Sequence, residues 1–185
     1  LDMDLLTEYE TACNTNSDIN QHLPLLYEVS QECDHVTEMG VRTGASTRAF
    51  LYASPKKYIA YDLDIDPEVN ELFEYCKSIG KDYSYIQADV LDIEIEQTDF
   101  LFIDTYHCYE QLSKELKLHS NKVNRYIAFH DTFTYGRVGE SLSYQSFSGT
   151  KGILYAIEEF LEENKNWQIV HDVDYNNGLI VIEKK

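Results

Sequence analysis

Four side chains in two short stretches could share one reaction centre. Asp104 and His107 fall in Phe102-Ile103-Asp104-Thr105-Tyr106-His107-Cys108-Tyr109-Glu110, and His130 and Asp131 fall in Phe129-His130-Asp131-Thr132. Each stretch opens on an apolar run that reads as a strand covered on both faces, so Asp104 and Asp131 stand at strand ends. Adjacent parallel strand ends lie about 5 Å apart, close enough for two carboxylates to converge. Oxygen donors of this kind suit a hard divalent ion, Mg²⁺ or Mn²⁺, and His130 as a third ligand would favour Mn²⁺. His107 opens the next helix, and an imidazole with an ordinary pKa of about 6.5 suits a general base at neutral pH. Plainer readings stand beside these. Asp104 could cap the following helix, and His130 could be a buried, hydrogen-bonded strand residue.

A second group lies upstream, in Glu38-Met39-Gly40-Val41-Arg42-Thr43-Gly44-Ala45-Ser46-Thr47. Gly40 and Gly44 remove side chains where a backbone must approach a ligand. Ser46 and Thr47 sit where a helix begins, and hydroxyls and free N–H groups there can hold a carboxylate. Glu38 could accept from a charged amine, and Arg42 and Thr43 complete the loop. Asp62 ends the second strand, where a carboxylate can take both hydroxyls of a ribose. Asp89, after the third strand, is placed to accept from an adenine amino group, with the Val90 backbone against the ring edge. This ordered series points to S-adenosylmethionine (SAM). The rival cofactor is NAD in an oxidoreductase, whose fingerprint G-x-G-x-x-G is broken by Arg42. A binding domain without catalysis is a third reading.

These residues need a scaffold, and the sequence alternates helix and strand signals as an α/β domain does. Helices are expected over residues 2–12, from the Asn16-Ser17-Asp18 cap to about Ser30, and over 46–53, 67–79, 109–120 and 151–164. Strands are expected over 35–41, 58–62, 83–88, 100–104 and 126–131, with an antiparallel pair at 167–173 and 178–183 around Asn176-Asn177-Gly178. The prediction is one domain over residues 1–185. Five parallel strands and a C-terminal hairpin form its sheet, with helices on both faces. Residues 1–33 are expected on the substrate side. Residues 132–150 lack periodicity and read as a lid or acceptor loop. His22, Tyr135 and Tyr144 are candidate acceptor contacts; His119 and His171 read as ordinary surface or strand residues.

Composition narrows the partners. The 185 residues carry a formal net charge of −18, a field that repels phosphate backbones and anionic lipid. Nucleic acid and membrane are therefore not expected as partners, and a small-molecule or glycan acceptor is. Cys13, Cys33, Cys76 and Cys108 make no C-x-x-C pair, which suggests reduced thiols and a cytoplasmic location. The chain does not begin with Met and could be part of a longer multidomain protein.

With these motifs in place, the chain resembles class I SAM-dependent methyltransferases over nearly its whole length, and the resemblance implies the Rossmann-like strand order 3-2-1-4-5-7-6. It is most like a branch that carries "IDGDHxYE" and then "FHDT". Ser17-Asp18-Ile19-Asn20-Gln21-His22-Leu23, Lys151-Gly152-Ile153 and Asn177-Gly178-Leu179 match that branch as well. Thr105-Tyr106 departs from the usual Gly-Asp, which removes one acid near the site. The branch includes metal-dependent O-methyltransferases of sugars and macrolides and proteins similar to cephalosporin-modifying enzymes. The chain also resembles the methyltransferase domain of chlorovirus glycan-synthesis proteins, which would place it in a host cytoplasm. The resemblance implies O-methylation of a carbohydrate hydroxyl such as that of rhamnose, with a catechol or macrolide acceptor as the alternative. It also implies metal ligands at Asp104 and Asp131 and a base at His107.

Overall fold

Residues 3–141 and 151–185 are described by a computed structural model. The strands are β1 (His35–Met39), β2 (Lys57–Asp62), β3 (Asp82–Gln87), β4 (Thr98–Ile103), β5 (Val123–His130), β6 (Trp167–Val173) and β7 (Leu179–Lys184). They form one sheet in the order β3-β2-β1-β4-β5-β7-β6. β1 to β5 pair in parallel, and β7 pairs antiparallel with both β5 and β6. Order and directions are those the sequence predicts.

Alternation along the strands builds two cores, one on each face. Phe100 and Phe102 of β4 and Tyr126 and Ala128 of β5 point to one side. Leu101, Ile103, Ile127 and Phe129 point to the other. The first face is covered by α1 (Leu5–Asn14), α2 (Leu23–Gln31), α3 (Ala45–Ala53) and α4 (Pro67–Ser78), and the second by α5 (Tyr109–His119) and α6 (Ile153–Glu163). Burial of both sheet faces is why these strands are nearly continuous apolar runs.

Local chemistry sets the helix starts. Asp4 accepts from Leu6 N to open α1, and Asp66 accepts from Val69 N to open α4 ahead of Pro67. The helix expected from residues 16–18 begins later. A 3-10 turn, Asn20–His22, precedes α2. Pro24 explains the delay, because it has no N–H to donate backward and fits only a first helical turn. Among the described residues no helix is long and apolar enough to cross a membrane.

From β1 the chain steps outward to β2 and β3 and then crosses back to β4 on the other side of β1, so the sheet order reverses at β1/β4. Ligands of open α/β sheets bind in the crevice that such a reversal opens at the carboxyl ends of the strands. Both groups of chemically equipped residues lie there.

Candidate active site

The loop from β1 to α3 forms one wall of a cleft of about 930 Å³, near the upper end of the roughly 300–1,000 Å³ usual for small-molecule sites. Gly40 has φ +90°, and a Cβ on it would stand 2.0 Å from the Asp104 carbonyl oxygen. Only glycine lets the end of β4 rest against this loop. Arg42 is also left-handed, at φ +51°. Asp62 holds it there, because one carboxylate oxygen, Oδ2, accepts from Val41 N at 2.6 Å and Arg42 N at 2.8 Å. The expected two-oxygen grip on a ribose is therefore reduced to Oδ1. The Arg42 guanidinium turns to Asp18. Asp89 and Val90 line the cleft, with Asp89 Oδ1 taking Leu91 N at 2.9 Å.

Three expected cofactor contacts point elsewhere. Glu38 is fully buried and accepts from the Ser46, Thr47 and Tyr58 hydroxyls. Burial raises its pKa to about 7 against the lowering effect of those hydroxyls. Glu38 is thus a tie between β1, β2 and α3 rather than an acceptor for a ligand amine, and the Ser46 and Thr47 hydroxyls are spent on it. Ser46 still lines the cleft, as do Gly40, Arg42 and Thr43, whereas Glu38, Gly44 and Thr47 do not. Gly44 instead lets the start of α3 pass Val69, whose Cγ2 would be 2.6 Å from an added Cβ.

The second group converges. His107 Nε2 is 3.1 Å from Asp104 Oδ1 and 3.0 Å from Asp131 Oδ2. His130 Nδ1 is 3.3 Å from Asp104 Oδ2 and 3.2 Å from Asp131 Oδ2. On its other side, His130 Nε2 donates to the main-chain carbonyls of Asp18 at 3.0 Å and Asn176 at 3.2 Å. Carbonyls only accept, so the Nε2 proton is fixed outward and Nδ1 is left facing the two carboxylates. That nitrogen is buried and off the direction of any hydrogen bond. His130 itself is fully covered and forms the floor beneath Asp104 and Asp131 rather than cleft wall.

The cluster shifts its own protonation. Burial alone would lower the pKa of His107, yet hydrogen bonds and charge from Asp104 and Asp131 raise it to about 10. His130 is raised to about 10 by the same two carboxylates against the same burial. For Asp104 and Asp131 burial works upward, and the two imidazoles prevail and hold both below the usual carboxylate range. An ordinary imidazole pKa therefore does not hold for His107, whose charged form the two carboxylates favour. Asp104, His107 and Asp131 each offer a donor atom, all within 4.8 Å of one another, and could hold a metal ion.

The acceptor candidates divide. Tyr135 lines the cleft and stacks flat on His107, with centroids 4.9 Å apart and planes 2° apart. His22 is buried behind His130, its Nε2 3.0 Å from the Asn176 carbonyl, so it is a core residue. Tyr144 lies outside the described residues, as do residues 142–150 of the predicted acceptor loop. Among the described residues of the N-terminal segment, Asp18 and Ile19 alone reach the cleft; α1 and α2 pack on the helical layer.

Sequence reasoning missed several participants. Glu140 accepts from His107 Nδ1 at 2.9 Å, and nothing in its Gly-Glu-Ser surroundings marks it. Asn176 was legible as a turn but not as the carbonyl that orients His130. His119, expected at the surface, is fully buried and sits 2.7 Å from the Val90 carbonyl, to which its Nε2 donates.

No protein-family profile matches the sequence, and no curated protein sequence matches it. Solved structures do. The N-methyltransferase NodS of Bradyrhizobium japonicum WM9 is similar with a TM-score of 0.63 at 13% identity, over 92% of this chain and 98% of that one. A provisionally assigned caffeoyl-CoA O-methyltransferase of Staphylococcus aureus gives 0.67 at 12%, over 100% and 93%. The methyltransferase PaMTH1 of Podospora anserina, bound to S-adenosylhomocysteine (SAH), gives 0.60 at 15%, over 98% and 87%. These likenesses establish the fold, which is that of class I SAM-dependent methyltransferases.

Proposed function

We propose that this chain is a SAM-dependent O-methyltransferase that acts on a carbohydrate hydroxyl, with a divalent cation held by Asp104, His130 and Asp131 and with His107 as the base. The observation that carries the proposal is His130. Its outer nitrogen is committed to two carbonyls, and its buried inner nitrogen faces the Asp104 and Asp131 carboxylates at 3.3 and 3.2 Å. An imidazole oriented in this way by its outer hydrogen bond is the usual arrangement of a metal-binding histidine. The fold, with Asp62, Asp89 and the Gly40 loop on the cleft wall, supports SAM in the other half.

SAM supplies an electrophilic methyl group on a sulfonium. A Mg²⁺ or Mn²⁺ ion between Asp104 and Asp131 would polarise a hydroxyl and offset the two carboxylates that keep His107 protonated. His107 would then take the hydroxyl proton on Nε2 as the oxygen is methylated. Tyr135 would present the cleft side of its ring to a sugar. Asp18, Asp62, Asp64 and Asp89 line the cleft, which favours a neutral acceptor over a phosphorylated one. Rhamnose in a glycan of the chlorovirus kind is our first choice, and the four free cysteines fit a reducing cytoplasm.

The test is transfer of labelled methyl from SAM to rhamnosides, catechols and macrolides, before and after EDTA. Label on a rhamnoside that EDTA abolishes and Mn²⁺ restores is expected. Failure of both SAM and SAH to bind in calorimetry would overturn the cofactor. Labelling of catechol alone would overturn the carbohydrate. Undiminished transfer after EDTA, with Asp131→Ala fully active, would overturn the metal. A second reading, favoured by the donor distances of His107, makes this residue a ligand instead. His107→Ala would then lose Mn²⁺ affinity, whereas a base would lose turnover and keep it.

A further inference from the structure

Glu140 touches the site through both its main chain and its side chain. Its N–H donates to the His107 carbonyl at 2.8 Å, and its own carbonyl accepts from the Tyr106 hydroxyl at 2.8 Å. Its carboxylate oxygen Oε2 accepts from His107 Nδ1 at 2.9 Å. The loop after β5 thus grips the turn between β4 and α5 at two consecutive residues.

An unassisted imidazole has two tautomers and can turn about its bond to Cβ, so either nitrogen can face a ligand. Here three contacts remove that freedom. Glu140 fixes Nδ1 as a donor, Tyr135 covers one ring face, and Asp104 with Asp131 receives Nε2. A carboxylate behind the outer nitrogen of a histidine selects the tautomer and steadies the charge the ring gains on taking a proton. Glu140 stands where that chemistry requires it, and the main-chain contacts bring it there whatever its side chain.

We propose that Glu140 is the positioning residue of His107. It holds the Nδ1 proton so that Nε2 alone addresses Asp104, Asp131 and the reacting hydroxyl. The inference rests on the methyltransferase reading for its effect on turnover, but the contact itself can be tested apart from it. Because the two main-chain hydrogen bonds survive substitution, variants at Glu140 probe the carboxylate and leave the loop in place.

Glu140→Ala is expected to lower kcat by about 10–100-fold, the usual loss for a group that orients a metal-site histidine. The acceptor KM and the SAH affinity should stay within about threefold, since the Glu140 carboxylate is spent on His107 Nδ1. Glu140→Gln keeps an acceptor for Nδ1 without the charge and should recover part of the lost kcat. The second readout is proton NMR of the SAH-saturated protein. A far-downfield, slowly exchanging His107 Nδ1 proton is expected in the wild type, displaced in Glu140→Gln and lost in Glu140→Ala. The His130 Nε2 proton, held by carbonyls, should persist in all three as the internal control. The proposal is overturned if Glu140→Ala keeps kcat within twofold, if its kcat loss merely follows a loss of SAH affinity, or if the His107 proton persists in it. A wild type that binds SAH but methylates no acceptor would overturn the methyltransferase reading, and the Nδ1 resonance would still decide whether Glu140 holds His107.

Discussion

Glu38 offers the most quantitative check on the structure, because one substitution isolates one buried charge. Its carboxyl is fully covered and its pKa is raised from an ordinary 4.5 to about 7, by burial acting against three hydroxyl donors. A carboxyl whose folded pKa lies above its unfolded one binds its proton more tightly in the native state. The stability linked to it is complete below pH 4.5 and is lost as pH rises through about 7. Integrating that difference between pH 5 and pH 8 gives a loss of about 2–3 kcal/mol. Glu38→Gln replaces the protonated acid with a neutral amide of similar shape and hydrogen-bonding capacity. The variant should match the wild type at pH 5 within about 1 kcal/mol and exceed it by about 2–3 kcal/mol at pH 8. In a domain of this size that is a relative gain in Tm of roughly 5–10 °C. Urea unfolding of both proteins at the two pH values measures it. The comparison cancels other groups that titrate in both proteins, including Glu115, which burial also raises to about 7. Unfolding curves whose separation does not change with pH would refute the assignment of a buried, reluctantly ionised Glu38.

Further outcomes follow from the same geometry. Gly40→Ala forces a Cβ into the Asp104 carbonyl and a left-handed backbone on alanine; it should cost about 2–4 kcal/mol and abolish SAH binding in calorimetry. Mn²⁺ binding at pH 7.5 should release on the order of one to two protons per ion, because His107 and His130 titrate near 10 without metal and must shed protons to take part. Calorimetric enthalpies that do not depend on the ionisation enthalpy of the buffer would contradict this. His119→Phe leaves the buried Val90 carbonyl without its donor and should cost about 1–3 kcal/mol, with weaker SAH binding; an unchanged SAH affinity would detach Val90 from the adenine site.

The strand-end acids were legible because β4 and β5 each finish in an apolar run, Phe100–Ile103 and Tyr126–Phe129, that stops at a polar residue, which fixes where each strand meets the cleft. The terminal hairpin was legible from its Asn-Asn-Gly turn, whereas the order of the sheet came from the resemblance to methyltransferases, since apolar runs mark strands without ordering them. Glu38 was misread because an acid at the end of β1 serves equally a ligand or a hydroxyl cluster. What decides is Tyr58, whose hydroxyl crosses from β2, and that crossing depends on strand register rather than on spacing. His119 was misread because a histidine in the last turn of a polar helix looks solvated until the chain after β3 folds under it. Glu140 left no trace, since an irregular loop has no period from which to infer a direction.

Asp18 explains why the Ser17–Leu23 stretch belongs with the reactive residues although it supplies no reactive atom. Its carboxylate pairs with Arg42 in the loop between β1 and α3, and its carbonyl accepts from His130 beneath the acid pair. Asn177 and Asn176 clamp the same segment, through the carbonyls of Asp18 at 3.1 Å and Ser17 at 2.9 Å. The hairpin turn and the N-terminal segment therefore set the His130 tautomer together, by main-chain groups that no side-chain replacement at position 18 removes. Asp18→Asn would loosen Arg42 and leave His130 in place, whereas a shift of the segment itself would disturb both halves of the cleft at once. Asp18 thus joins the two halves mechanically, beside the direct contact of Gly40 with the Asp104 carbonyl.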